Sequence, residues 1–242
     1  MGFQGGMESM EVIDTIAENT RRVMETIRQA AERSGRDPNE IKLLAASKMQ
    51  DVEKIRAAAK AGVRLFGENY VQEVNAKKEA LEEPVEWHMI GHLQRNKAKL
   101  AVSLFSLIES LDSIELAAVL DKEGQKLGKQ VRSFVEVNLA KEESKSGVGE
   151  GDLMPLLKKV GTCSHLKVEG LMVIPPPRED PEESRPFFRN LRELQKSLGN
   201  LEIPNVDLRE LSMGMTHDFP VAIEEGATIV RVGTAIFGQR KE

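Results

Sequence analysis

The feature that most constrains this chain is an alternation: short β-rich runs and helical stretches follow one another along almost its whole length. Eight such runs stand out: Ile41 to Ser47, Leu65 to Asn69, Trp87 to Leu93, Leu104 to Glu109, Val131 to Leu139, Leu166 to Ile174, Val206 to Ser212 and Thr228 to Val232. The intervals are long enough to hold helices. Repeated strand, crossover helix and strand units imply a parallel sheet, because parallel neighbours need a long connection and the helices then cover the sheet. Eight units favour closure, and 242 residues suit one α/β barrel, which typically needs about 250. The expectation is a single domain over residues 1–242, a (β/α)8 TIM-type barrel with an additional N-terminal helix.

That extra helix is expected from Glu8 to Arg33, where Val12, Ile13, Ile16, Val23, Ile27 and Ala30 recur near helical spacing before Gly35 and Pro38. Residues 1–7 read as a disordered leader, lacking the basic start and apolar stretch of a secretory signal. Within the repeat, Asp51, Ser113 and either Thr216 or Asp218 are placed as helix caps, and Gly62, Gly128 and Gly226 stand where helices should end. The Pro-rich IPPPREDPEE segment directly follows a strand and reads as a loop.

Composition narrows the partners. With 34 Lys and Arg against 39 Asp and Glu, the formal charge is −5, which opposes broad attraction to nucleic acid or to an anionic membrane. No uninterrupted apolar run approaches the roughly 20 residues that span a bilayer. Cys163 is the only cysteine, so neither an intrachain disulfide nor an all-cysteine metal cage can form, and a reducing cytoplasm fits. His88 and His92 would share a face if both lay on one strand, but no third ligand is evident and no metal site is expected.

In a barrel of this type functional groups gather at the C-terminal strand ends. Those positions hold Lys48, Glu68 and Asn69, His92, Ser144 to Gly147, Met172, Ser212 to Gly214, and Gly233 with Thr234. Lys48 closes the apolar run IKLLAAS, and desolvation there would favour the free amine that attacks an aldehyde; the plainer reading is an exposed lysine. The segments LSMGM and VRVGTAIFG supply Ser212, Gly214, Gly233 and Thr234 after strands seven and eight, where barrels frequently bind phosphate; the plainer reading is two tight turns. Arg231 shares a strand face with Gly233 and should point inward, toward a ligand or a carboxylate such as Glu210 or Glu136.

Taken together, LLAASK, FGENYVQE, WHMIGHLQRNK, VNLAKEESKSGV, GLMVI, LSMGM and VRVGTAIFG resemble the pyridoxal phosphate homeostasis proteins, from about Ile41 to Gly238. That family is similar to the cofactor-binding barrel of alanine racemase without its second domain. The resemblance implies pyridoxal 5′-phosphate as cofactor, a Schiff base on Lys48, Asn69 as a pocket residue, Ser212, Met213, Gly233 and Thr234 as the phosphate cradle, and Arg231 facing the pyridine nitrogen. Five positions depart from its usual pattern: Met49-Gln50-Asp51 replaces a threonine-lysine-proline run, Thr216 replaces serine, and Pro176 replaces alanine.

An arginine beside the pyridine nitrogen favours its unprotonated form and weakens the ring as an electron sink. With the resemblance, this implies a non-enzymatic role in vitamin B6 homeostasis, holding the cofactor as a reversible Schiff base, with PLP-dependent apo-enzymes as partners and a monomer or weak dimer as the expected working form. The alternative is a small PLP-dependent racemase or lyase using Lys48 as its base; a third is a phosphosugar enzyme without the cofactor. The Lys141–Val148 loop carries lysines and serines and reads as a solvated segment.

Overall fold

The computed structural model describes residues 3–140 and 146–239. The chain opens with α1 (Phe3–Arg33) and then runs through β1 (Lys42–Ala46), α2 (Val52–Lys60), β2 (Leu65–Glu68), α3 (Val71–Ala80), β3 (Glu86–Met89), α4 (Ala98–Leu104) and β4 (Leu107–Leu111). It continues with α5 (Ile114–Leu127), β5 (Val131–Glu136), α6 (Glu150–Val160), β6 (Leu166–Met172), α7 (Arg185–Gly199), β7 (Val206–Met215), α8 (Phe219–Glu224), β8 (Ile229–Val232) and α9 (Thr234–Phe237). The strands form one closed parallel barrel in chain order, β1 meeting β8.

Closure leaves each strand with two buried faces. Residues on one face enter a small interior cluster of Leu44, Leu65, Ile90, Leu107, Phe134 and Ile229. Those on the other, such as Ala45, Phe66, Val135 and Val230, join the larger layer between barrel and helices. This is why the strands read as apolar runs rather than as alternating polar and apolar residues. Alpha-helix α1 buries Ile16, Val23, Ile27, Ala30 and Ala31 and packs against α2, α8 and α9. It is helical from Phe3, five residues before the expected start at Glu8, so the leader expected over 1–7 is helical backbone wherever it is described.

The punctuation follows the sequence with two corrections. Gly62, Gly128 and Gly226 adopt φ of +110°, +59° and +105° at helix ends, and Ser113 Oγ accepts the Leu116 N–H at 3.3 Å as the α5 cap. Asp51 and Asp218 hold cap positions without a side-chain bond into their helices; Asp218 Oδ1 instead accepts the Met215 N–H at 2.7 Å. The third run also ends early: β3 stops at Met89, so His88 is on the strand and His92 in the loop beyond it, and the two share no strand face. The fourth begins at Leu107 rather than Leu104, because α4 occupies the residues before it.

Candidate functional site

Period-two geometry carries the inward face of β1 from Leu44 through Ala46 to Lys48, which leaves the barrel at its C-terminal end. There it lines a cavity of about 410 Å³ with Asn69, Glu136, Asn138, Met215 and Arg231. Lys48 and Asn69 are half-buried. Gly91 keeps this mouth open from the β3 side: a Cβ there would stand 2.7 Å from the Asn69 Cα. A larger cavity of about 810 Å³ lies at the opposite end, lined by Leu43, Leu65, Phe134 and the ion-paired Lys42 and Glu210. The strand ends bearing Lys48 and Arg231 face away from it, on the side where barrels of this class place their chemistry.

Arg231 is buried on the inner face of β8. Its Nη1 donates to Ser212 Oγ at 2.7 Å and its Nη2 to the Val173 carbonyl at 2.9 Å. Ser212 Oγ in turn donates to Glu109 Oε2 at 2.5 Å, and Glu109 Oε1 meets His88 Nδ1 at 2.7 Å. Burial pushes the Arg231 pKa down, and the carboxylates of Glu109, Glu136 and Asp218 oppose that push. Arg231 thus has its counter-charge across Ser212, in Glu109. Of the two partners expected for it, Glu210 is excluded, since it bonds Lys42 and Thr228 instead; Glu136 acts on it only through space.

Beside the cavity, the Gly233 and Ala235 amides converge on Thr216 Oγ at 3.2 and 3.5 Å. Gly233 lies against Ala46, whose carbonyl oxygen a Cβ would meet at 3.4 Å, and Ala46 itself lines the cavity. Gly214 turns the chain toward this corner with φ of +88°; a Cβ there would fall 2.5 Å from that of Ala222. A hydroxyl held by two backbone amides marks an acceptor position that a phosphate oxygen can take over.

The expected site residues therefore separate. Lys48, Asn69 and Arg231 surround one cavity, and Gly233 with Thr234 flanks it. Ser212 does not line that cavity; its hydroxyl is committed inside the barrel, between Arg231 and Glu109. The Met213 side chain is fully buried in the outer layer under the helices, so only its backbone is available to a cradle. Ser144 and Lys145 lie outside the described residues.

The sequence does not by itself place Thr216 on the Gly233 and Ala235 amides, nor Glu109 and His88 behind Arg231. The sequence offers Glu136 only as an ion-pair partner for Arg231. It is buried at the cavity wall, and burial, reinforced by Asp112, raises its pKa from 4.5 to about 7 against the pull of Arg231 and His92. His92 is exposed at the rim with Nδ1 3.0 Å from Asp112 Oδ2. Among the described residues no group of three or more His, Cys, Asp and Glu is arranged to hold a metal.

Comparison with known proteins gives three consistent findings. The family described as alanine racemase, N-terminal domain, matches residues 13–241. A pyridoxal phosphate homeostasis protein of Aquifex aeolicus is 48% identical over 225 residues, covering 93% of this chain and 98% of that relative. Among solved structures, an unknown protein from Bifidobacterium adolescentis superposes with a TM-score of 0.89 at 38% identity, covering 94% of this chain and 96% of the other. PipY of Synechococcus elongatus PCC7942 with PLP bound superposes at 0.78 and 37% identity, covering 88% of this chain and all of that one, 100%.

Proposed function

The chain belongs to the family of the alanine racemase N-terminal domain, and from that premise we propose that it is a pyridoxal 5′-phosphate homeostasis protein that holds the cofactor reversibly on Lys48. The observation that carries this reading is the meeting of Lys48 and Arg231 around one cavity of about 410 Å³, with paired amides beside it. That volume lies in the range of small-molecule sites, roughly 300 to 1,000 Å³. The residues present fit the group: a lysine for its aldehyde, the Gly233 and Ala235 amides around Thr216 for its phosphate, and a fixed guanidinium for its ring nitrogen. When bound, the cofactor supplies an aldehyde that captures amines reversibly.

The rest is the work of the chain. Lys48 supplies the amine. Thr216, Gly233 and Thr234 orient the phosphate at the β7 and β8 ends. Arg231, held by Ser212 and Val173, presents a cation to the ring nitrogen and disfavours its protonation. This weakens electron withdrawal from a bound amine, so storage and release are favoured over turnover. In the same reading the released cofactor passes to apo-enzymes, and the protein works in the cytoplasm as a monomer or weak dimer; its buried, unpaired Cys163 suits a reducing compartment.

One observation favours a second reading. Glu136, with its pKa near neutrality, is an acid–base group on the cavity wall, as a slow racemase or lyase would need in addition to Lys48. Chiral chromatography after long incubation with alanine or serine tests this, and turnover lost in both Lys48→Ala and Glu136→Gln would replace storage by catalysis.

The main reading is tested by the absorbance of the purified protein after addition of pyridoxal 5′-phosphate. A new band in the wild type, absent in Lys48→Ala, with a borohydride-reduced adduct on the Lys48 peptide, is the expected result. No band and no adduct in the wild type would remove the proposal and leave the phosphosugar alternative.

A further inference from the structure

Lys48 is carried on a backbone gripped on both sides by a buried charged cluster that belongs to another part of the fold. Before it, Ser47 Oγ donates to Glu68 Oε1 at 2.7 Å, and Lys77 Nζ donates to the Ser47 carbonyl at 3.0 Å. After it, the Met49 N–H donates to Glu73 Oε2 at 2.8 Å. Lys77 Nζ joins the two sides, donating to Glu68 Oε1 and Glu73 Oε2, each at 2.8 Å. Lys77 and Glu68 are buried, and both flanking peptides are thereby tied to the β2–α3 unit.

Met49 adopts φ of +60°, a left-handed conformation that costs a side-chain-bearing residue energy and persists only where its surroundings impose it. The Gln50 N–H donates to the Ser47 carbonyl at 3.0 Å and closes the turn that carries Lys48 and Met49, and the Glu73 carboxylate braces that turn through the Met49 N–H. Burial raises the Glu68 pKa, with the hydrogen bonds from Lys77 and Ser47 pulling the other way. Burial works against ionisation of Glu73, but the Lys77 ammonium and the Met49 N–H outweigh it and lower its pKa. A buried ion cluster is weak evidence for stability, since desolvation can cancel the attraction. Its geometry, however, converges on the two peptide units adjoining Lys48.

We propose that Lys77, Glu68 and Glu73 form a positioning clamp that sets the direction in which Lys48 enters the cofactor cavity. The inference rests on the assignment of Lys48 as the cofactor-bearing amine and extends it to residues outside the cavity. In the step concerned, Lys48 Nζ adds to the aldehyde carbon, a C=N bond forms and the aldehyde oxygen leaves as water. The clamp touches none of these atoms. It acts by holding Nζ where addition can occur, an effect to which reaction rates are steeply sensitive.

The test compares two ligands in the full-length protein. Pyridoxal 5′-phosphate reports the covalent bond through absorbance and borohydride trapping. Pyridoxamine 5′-phosphate has the same phosphate and ring without an aldehyde and reports the cradle alone. Lys77→Met and Glu73→Gln are each expected to weaken or slow covalent capture by about tenfold or more, the scale of one lost charge-assisted hydrogen bond. Pyridoxamine 5′-phosphate binding should stay within about twofold of wild type on the same scale, and Lys77→Arg should restore part of the capture. Glu73 is partly exposed, so Glu73→Gln provides a folded variant should Lys77→Met unfold. Covalent capture equal to wild type in folded Glu73→Gln and Lys77→Met overturns the clamp, as does an equal loss for both ligands. A wild type that forms no adduct on Lys48 would instead overturn the assignment beneath it.

Discussion

At the residue scale, two buried carboxylates give opposite predictions. Glu136 has a pKa raised in the folded protein from 4.5 to about 7, so its contribution to stability is fully present below about pH 4.5 and is lost as pH rises through about 7. Glu136→Gln cannot ionise. Urea titrations without cofactor should therefore show it gaining on wild type between pH 5 and pH 8, by up to roughly 3 kcal/mol; a constant difference across that range would contradict the assignment. Glu109 is the counter-charge that Arg231 reaches through Ser212. Glu109→Ala should destabilise by roughly 3 to 5 kcal/mol, as expected when a buried charge loses its partner, and the urea midpoint would report it. That Lys48 and Arg231 point into the barrel mouth was legible in the sequence, because a strand end or a shared strand face limits where each side chain can point. Thr216 and Glu109 were not, because their roles come from bonds to residues 17 and 103 positions away.

At the element scale, helix ends and chain turns are the checkable units. Ser113→Ala removes the one N-cap bond of α5 and should cost about 1 kcal/mol, a small drop in melting temperature without change at the Lys48 cavity. Gly214→Ala acts differently. It combines φ of +88° with a Cβ 2.5 Å from that of Ala222, so it should displace the Met215–Thr216 corner and weaken binding of phosphate-bearing ligands more than Ser113→Ala does, as isothermal titration would measure. The elements themselves were largely readable: each of the eight expected runs overlaps a strand. The third was overextended because WHMIGHL stays apolar after the backbone has left the sheet. The fourth was placed too early because Leu104 ends a short helix, α4, that is followed within three residues by the strand.

At the scale of the whole molecule, the cavity around Lys48 and Arg231 is assembled from the ends of most strands, so ligand binding there and global folding should be linked. Pyridoxal 5′-phosphate at a hundredfold over its dissociation constant should raise the unfolding free energy by about 2.7 kcal/mol, shifting the urea midpoint with its slope unchanged. Lys48→Ala should retain only the part due to phosphate and ring contacts. The sequence by itself determined the class of fold, because alternating strand and helix periods leave few arrangements that bury eight apolar strands on both faces. It also determined that Lys48 stands at the C-terminal mouth of the barrel, because strand parity carries Leu44 and Ala46 into Lys48. Only the tertiary structure decided which polar residues meet. Closing β8 against β1 brings Arg231, Ser212, Glu109 and His88 into one buried chain across the barrel, and folding α3 over β2 brings Lys77 and Glu73 to the backbone of Lys48. Those contacts are set by barrel closure and helix docking, and no local spacing along the chain encodes them.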